Sequence, residues 1–176
     1  MKDAIVNKVA SSGLIEINLG EFYDKKPRKP IDLSEFLFQG LILKEKDYRA
    51  ALESLDTENF RDAHVAVFCS ADAIVPVWAY MLMASKLSGI SASVFPGSPE
   101  EMERHLFREA INRLDPEIYR DKKIIVKGCG DIPIPDSAFL DITHRLKPVA
   151  ASIMYGEPCS TVPVFKTPAQ NKPSGK

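Results

Sequence analysis

Cysteine and histidine are scarce in this chain, and no hydrophobic run is long. Three cysteines in 176 residues are an odd number, which excludes the closed disulfide framework that staples small secreted domains. No apolar stretch approaches the ~20 residues that span a bilayer; the longest, Ala73 to Leu87, is broken by Pro76 and ends in Ser85-Lys86. Met1 to Ala10 mixes Lys, Asp and Asn with Val and Ile and has no apolar h-region, so no leader is expected and the location expected is cytoplasmic. An excess of one charge is also missing: 23 basic against 24 acidic side chains leave −1. Nucleic acid and anionic membranes both require a concentrated basic surface, so neither is expected as a partner. The one dense basic run, Lys25-Lys26-Pro27-Arg28-Lys29, reads as a solvated loop. No Cys-x-x-Cys, His-x-x-His, Gly-x-Gly-x-x-Gly or Walker pattern occurs, which leaves nucleotide binding without support. No internal repeat is evident.

What is present is an ordinary globular composition, 45% hydrophobic and 27% charged, in a chain long enough to bury a core without a staple. Short apolar runs bounded by turn residues predict strands at His64–Phe68, Ile90–Phe95 and Lys123–Val126. A helix is predicted over Ala73–Leu87, its regular part beginning at Pro76 and stopping at Ser88-Gly89. Another follows Ser98-Pro99-Glu100-Glu101, where Ser98 and Glu101 have the spacing of a capping box and Met102, Leu106, Ala110 and Leu114 form a stripe. This β-α-β-α-β order predicts parallel strands joined by right-handed crossovers. Upstream, Gly13–Leu19 alternates like a half-buried strand, Glu35–Leu43 looks helical, and Asp47–Leu55 is a second helical piece. Downstream, Asp136-Ser137 opens a helix with Phe139, Ile142, Leu146, Val149 and Ile153 on one stripe. Pro148 must kink or end that helix. Thr161–Phe165 is a strand that Pro163 confines to an edge. The expected fold is α/β: one domain over residues 1–166, a three-layer open sheet, mostly parallel with an antiparallel edge strand. A disordered tail over 167–176 is expected to follow it.

In an open parallel sheet, ligands bind beyond the carboxyl ends of the strands. Cys69 follows the strand His64–Phe68 and Cys129 follows Lys123–Val126, in Phe68-Cys69-Ser70-Ala71-Asp72 and Lys127-Gly128-Cys129-Gly130-Asp131. On this reading both thiols share one sheet edge, each with an aspartate close behind. Gly128, Gly130 and Ser70 offer backbone N–H groups to a ligand. Cys159 reaches that edge only if the chain reverses near Pro148. Free cysteines often only fill cores, but Gly-Cys-Gly and Glu-Pro-Cys-Ser settings do not suit core packing. Three thiolates with an open position would suit zinc or an iron–sulfur cluster. Cys69, Cys129 and Cys159 are the expected ligands, and Asp72 and Asp131 the candidates for a fourth or supporting position. A metal-free binding or interaction module using the same loops is the alternative, and a thiol redox pair the third reading. His105 and His144 read as surface residues, and His64 opens a strand at the opposite edge from the thiols. Trp78, Tyr80, Met81 and Met83 read as core packing rather than a cofactor platform.

Several stretches resemble an uncharacterised family of Bacteroidota proteins known as a domain of unknown function. They are Ala4-Ile5-Val6-Asn7-Lys8-Val9, Phe36-Leu37-Phe38-Gln39-Gly40-Leu41, Cys69-Ser70-Ala71-Asp72-Ala73-Ile74, Lys127-Gly128-Cys129-Gly130-Asp131 and Met154-Tyr155-Gly156-Glu157-Pro158-Cys159-Ser160-Thr161-Val162-Pro163. The resemblance implies no activity; it suggests a protein partner in iron–sulfur cluster assembly. A partial similarity to the zinc loops of β-class carbonic anhydrases rests on Cys69-Ser70-Ala71-Asp72 and Cys129-Gly130. An extra residue precedes Asp72, no Arg stands beside it, and Val126 occupies the place of the zinc-binding His.

Overall fold

Seven strands and four α-helices follow one another in a computed structural model that describes residues 14–128, 130 and 132–168. They are β1 (Leu14–Asn18), β2 (Arg28–Asp32), α1 (Glu45–Glu53), β3 (His64–Phe68), α2 (Val77–Leu87), β4 (Ser93–Pro96), α3 (Pro99–Asn112), β5 (Lys123–Lys127), α4 (Asp136–Leu146), β6 (Ser152–Glu157) and β7 (Ser160–Lys166). The protein is an open α/β fold, and its strands fall into two sheets. One has the order β1-β5-β6-β7, with β7 antiparallel at its edge, and the other is β2-β3-β4, all parallel. Asp24–His105 forms one compact unit around the three-stranded sheet, and the described residues on either side of it form the other.

Each unit has its own core. The inner unit packs Ile31, Leu33, Tyr48, Leu52, Val65, Val67, Ala79, Met83 and Leu87. The outer unit packs Ile17, Leu19, Phe107, Ile111, Ile124, Val126, Ala138, Ile142 and Leu146. These two sets correspond one to one. A constant offset relates Tyr48 to Phe107, Ala79 to Ala138 and Leu87 to Leu146, and another relates Leu19 to Leu33. The strand registers correspond too: Arg28 pairs with His64 where Leu14 pairs with Lys123, and His64 with Ser93 where Lys123 pairs with Ser152.

The turns repeat as well. Asn18 and Asp32 each cap a 3-10 turn by accepting from the second residue on, Gly20 N–H at 3.0 Å and Ser34 N–H at 2.9 Å. Asp56 and Asp115 do the same before β3 and β5, each within an Asp-x-Glu-x-aromatic-Arg-Asp run. Both runs end on an aspartate at positive φ, Asp62 and Asp121. Pro76 and Pro135 open α2 and α4 with the same extended backbone. The chain therefore contains an internal repeat, with the inner copy inserted between β1 and the later elements of the outer copy. The repeat is hard to see in the sequence because that insertion breaks the order and many of the matching core residues, such as Tyr48 and Phe107, differ.

Local expectations fared unevenly. The capping box at α3 closes in both directions: Ser98 N–H donates to Glu101 Oε2 at 2.8 Å and Glu101 N–H to Ser98 Oγ at 3.2 Å. The buried stripe of α3 runs through Met102, Phe107 and Ile111, one step round the helix from the predicted one. Glu35–Leu43 is not a helix. Asp32 closes a single 3-10 turn over Leu33–Phe36, and Gln39 and Gly40 at positive φ then reverse the chain. Pro148 ends the downstream helix, α4, which stops at Leu146, and Ile153 lies on a strand beside β5 rather than on a helical stripe. Pro163 does sit on an edge strand, next to a bulge. Of the expected tail, Thr167 donates its N–H to Ala151 O at 2.9 Å, and the part beyond Pro168 lies outside the described residues.

Candidate functional site

β3 and β5 belong to different sheets. This overturns the premise that their carboxyl ends set Cys69 and Cys129 on one edge. In the outer unit β1, β5 and β6 are parallel neighbours, so Asn18, Lys127-Gly128 and Glu157 leave the same edge. Pro158 and Cys159 form the tight turn into β7, and Cys159 is exposed. The reversal near Pro148 therefore occurs as a helix end followed by a parallel strand. Cys129 and Asp131 lie outside the described residues. Gly128 is tightly enclosed: a Cβ there would stand 2.7 Å from Phe139 Cζ and 2.9 Å from Ile134 Cδ1. Beside it, Lys127 Nζ reaches Glu16 at 2.8 Å and Glu157 at 3.5 Å. The bond to Glu16, opposed by burial and helped by Glu157, raises the Lys127 pKa.

In the inner unit Cys69 is half-buried, and its thiol points to Ala71 O at 3.6 Å. Ser70 N–H donates to Asp32 Oδ1 at 3.0 Å, and the Ser70 and Ser34 hydroxyls meet at 3.1 Å. Burial pushes the Asp32 carboxyl up, but the bonds from Ser70 and Ser34 outweigh it and hold the group down at about 2. Asp72 is exposed. A crevice of about 440 Å³ opens here, lined by Cys69, Val75, Tyr80, Gly97, Ser98 and Glu101. Among the described residues no group of three or more His, Cys, Asp or Glu side chains could hold a metal ion.

The family model described as "Protein of unknown function (DUF2480)" matches residues 3–167. The chain belongs to that family. No curated protein and no solved structure matches it. Membership brings no activity, so function has to be argued from the chain's own side chains. All five expected ligands, Cys69, Asp72, Cys129, Asp131 and Cys159, fall within the stretch shared with DUF2480.

The repeat also sorts the thiols. At the offset that matches the cores, Cys69 corresponds to Gly128, Ser70 to Cys129 and Asp72 to Asp131. The two cysteine loops are thus equivalent loops with the thiol moved by one position. Sequence reasoning missed His64, which is buried and not merely at a strand start. Its Nδ1 is 2.7 Å from Ser93 Oγ, and Asp24 Oδ2 lies 3.1 Å from Nε2. Burial raises the Asp24 pKa, but the hydrogen bond from Lys26 N–H and the closeness of the His64 ring outweigh it and leave it lowered. His105 and His144 are exposed, as expected. Met83 is buried and Trp78 and Tyr80 pack against the core, whereas Met81 is 66% exposed. No helix is long and apolar enough to cross a membrane among the described residues.

Proposed function

We propose that the carboxyl edge of the four-stranded sheet is a thiolate site that binds zinc or an iron–sulfur cluster. The supporting observation is that β5 and β6 are parallel neighbours. Gly128, the residue before Cys129, and the Cys159 turn therefore lie beyond the same edge of one unit. Cys129 and Cys159 are the thiolate pair and Asp131 a third donor. Cys69, on the other unit, is the remaining member of the expected set. Soft thiolates select zinc or iron–sulfur clusters over hard cations, and Asp131 or water can complete a tetrahedral zinc shell. With iron, the exposed Cys159 turn suits exchange with a protein partner in cluster assembly.

Metal analysis after anaerobic purification, and after reconstitution with zinc or with ferrous iron and sulfide, tests this. About one equivalent should bind, be lost in a Cys129→Ser/Cys159→Ser variant and survive Cys69→Ser. Uptake below about a tenth of an equivalent under every condition overturns it. The crevice beside Cys69 favours a second reading, a metal-free binding module. On that reading a triple Cys→Ser variant keeps its partners, and loss of binding refutes it.

A further inference from the structure

A separate cavity in the outer unit, of about 590 Å³, lies between the edge strand β1 and the turn that precedes β5. Ile17, Phe22, Leu114 and Ile118 give it an apolar floor, and Glu16, Glu21, Asp115 and Arg113 stand around it. The volume is in the range of small-molecule sites, which pair apolar walls with a few convergent polar groups. Tyr119 supplies such a group. Its side chain is only 6% exposed, it lines the cavity, and its hydroxyl bonds to no described residue. The hydroxyl is not among the fully buried side-chain atoms that lack a partner, so it is open to whatever enters the cavity.

Phe60 takes the place of Tyr119 in the inner unit, at the end of the matching 3-10 turn, so this fold position does not need a hydroxyl. Asn59, the counterpart of Ile118, instead bonds Asp56 Oδ2 at 3.0 Å. Burial, and next the Glu21 carboxylate, push the Tyr119 pKa up, so the hydroxyl stays neutral. Charge around the cavity is negative on balance. Glu16 is neutralised by Lys127 at 2.8 Å, which leaves Glu21 and Asp115 against Arg113.

We propose that this cavity binds a small organic cation with an apolar body, its ammonium group held by the Glu21 carboxylate and the Tyr119 hydroxyl oxygen. The ring or alkyl body covers Ile17, Leu114 and Ile118, and the ammonium takes up the hydroxyl in place of water. The site is independent of the thiol edge and uses none of its cysteines.

Phenethylamine is the probe, titrated into the full-length protein while the NMR signals of Ile17, Leu114 and Ile118 are followed. Saturable shifts confined to these residues are expected, with phenylpropionate, the same body carrying the opposite charge, binding at least about tenfold more weakly. Glu21→Gln should weaken phenethylamine about tenfold and Tyr119→Phe about threefold, in line with a charged and a neutral hydrogen bond. The Phe60 counterpart indicates that Tyr119→Phe folds. Glu53→Gln removes the same charge from the other unit and should change nothing. Absence of shifts at about 10 mM probe, well above the millimolar affinity expected of so small a ligand, overturns the proposal. So does equal binding of phenylpropionate, or an unchanged affinity in Glu21→Gln.

Discussion

The inner unit seats Tyr48 where the outer one seats Phe107, and Cys69 where the outer one has Gly128. The first exchange leaves the core intact: the Tyr48 hydroxyl donates to Ala79 O at 3.1 Å, and Phe107 has no hydroxyl to satisfy. The second changes the surface. In the inner unit Cys69, Val75 and Tyr80 line an open crevice. Their counterparts Gly128, Ile134 and Phe139 close on one another so tightly that no Cβ fits at Gly128. The frame is thus held constant by buried apolar positions, and the loops beyond the carboxyl ends are free to diverge. This is how one fold carries different sites.

The largest expected effect tests whether the two frames are equally supported. Leu87→Ala and Leu146→Ala each remove a side chain with no solvent exposure, which costs about 2–5 kcal/mol once the cavity left behind is counted. Denaturant titration of both variants should give similar losses. A gap of more than about 2 kcal/mol between them would mean that one unit relaxes around the cavity and the other does not.

At the thiol edge the comparison predicts an asymmetric exchange. Gly128→Cys, which copies the inner unit, drives a Cβ into Phe139 and Ile134 and should cost about 1–3 kcal/mol by overpacking. Cys69→Gly removes a half-buried group from an open crevice and should cost less. Thermal melts of the two variants check this, and equal losses would break the contrast.

The parts of this fold visible in the sequence were those where local chemistry decides. The Ser98–Glu101 box, Pro76 at the head of α2, the His64–Phe68 strand and Pro163 on an edge all follow from which backbone N–H groups can be paired. Partners distant in sequence were harder to see. Nothing within Lys123–Val126 says whether its neighbour is β4 or β1, because a strand buried on both faces carries the same apolar run in either sheet. The strands before Cys69 and Cys129 therefore end in two sheets and not on the one edge expected of them. The signals of the repeat were present in Ile17-Asn18-Leu19-Gly20-Glu21-Phe22 and Ile31-Asp32-Leu33-Ser34-Glu35-Phe36. Tyr119 was not singled out because a tyrosine at the end of a turn gives no hint that its hydroxyl faces a cavity.

Acid should distinguish the units more mildly. Asp32 and Asn18 cap equivalent turns, but only Asp32 titrates, with its carboxyl held at about 2 against an ordinary 3.8. A depressed pKa adds stability that is present above the unfolded value and is lost as pH falls through 4 towards 2. The contribution is on the order of 1–2 kcal/mol for this partly exposed group. Asp32→Asn keeps an acceptor of the kind Asn18 already supplies, so it should flatten the acid limb of the stability curve and leave the turn formed. An unchanged limb would show that the Ser34 and Ser70 bonds do not favour the ionised form.

The smallest effect is expected where the two units look most alike. Glu58–Arg61 and Glu117–Arg120 form matching ion pairs at 2.5 and 2.7 Å. All four side chains are exposed, and each arginine lowers the pKa of its glutamate. Exposed pairs of this kind are screened by water and salt and hold two long side chains in one geometry, so little net stability remains. The turn is fixed instead by Asp56 and Asp115, which accept the N–H groups of Glu58 and Glu117 at 3.1 and 3.0 Å. Removing such a cap by Asp→Ala costs about 0.5–2 kcal/mol, and the loss should be similar in the two units. Glu58→Gln and Glu117→Gln should leave the unfolding midpoint within its measurement scatter at any salt concentration. If the glutamine variants lose as much as the alanine ones, the ion pairs rather than the caps hold the repeated turn. The Asp-x-Glu-x-aromatic-Arg-Asp run would then owe its recurrence to its charges.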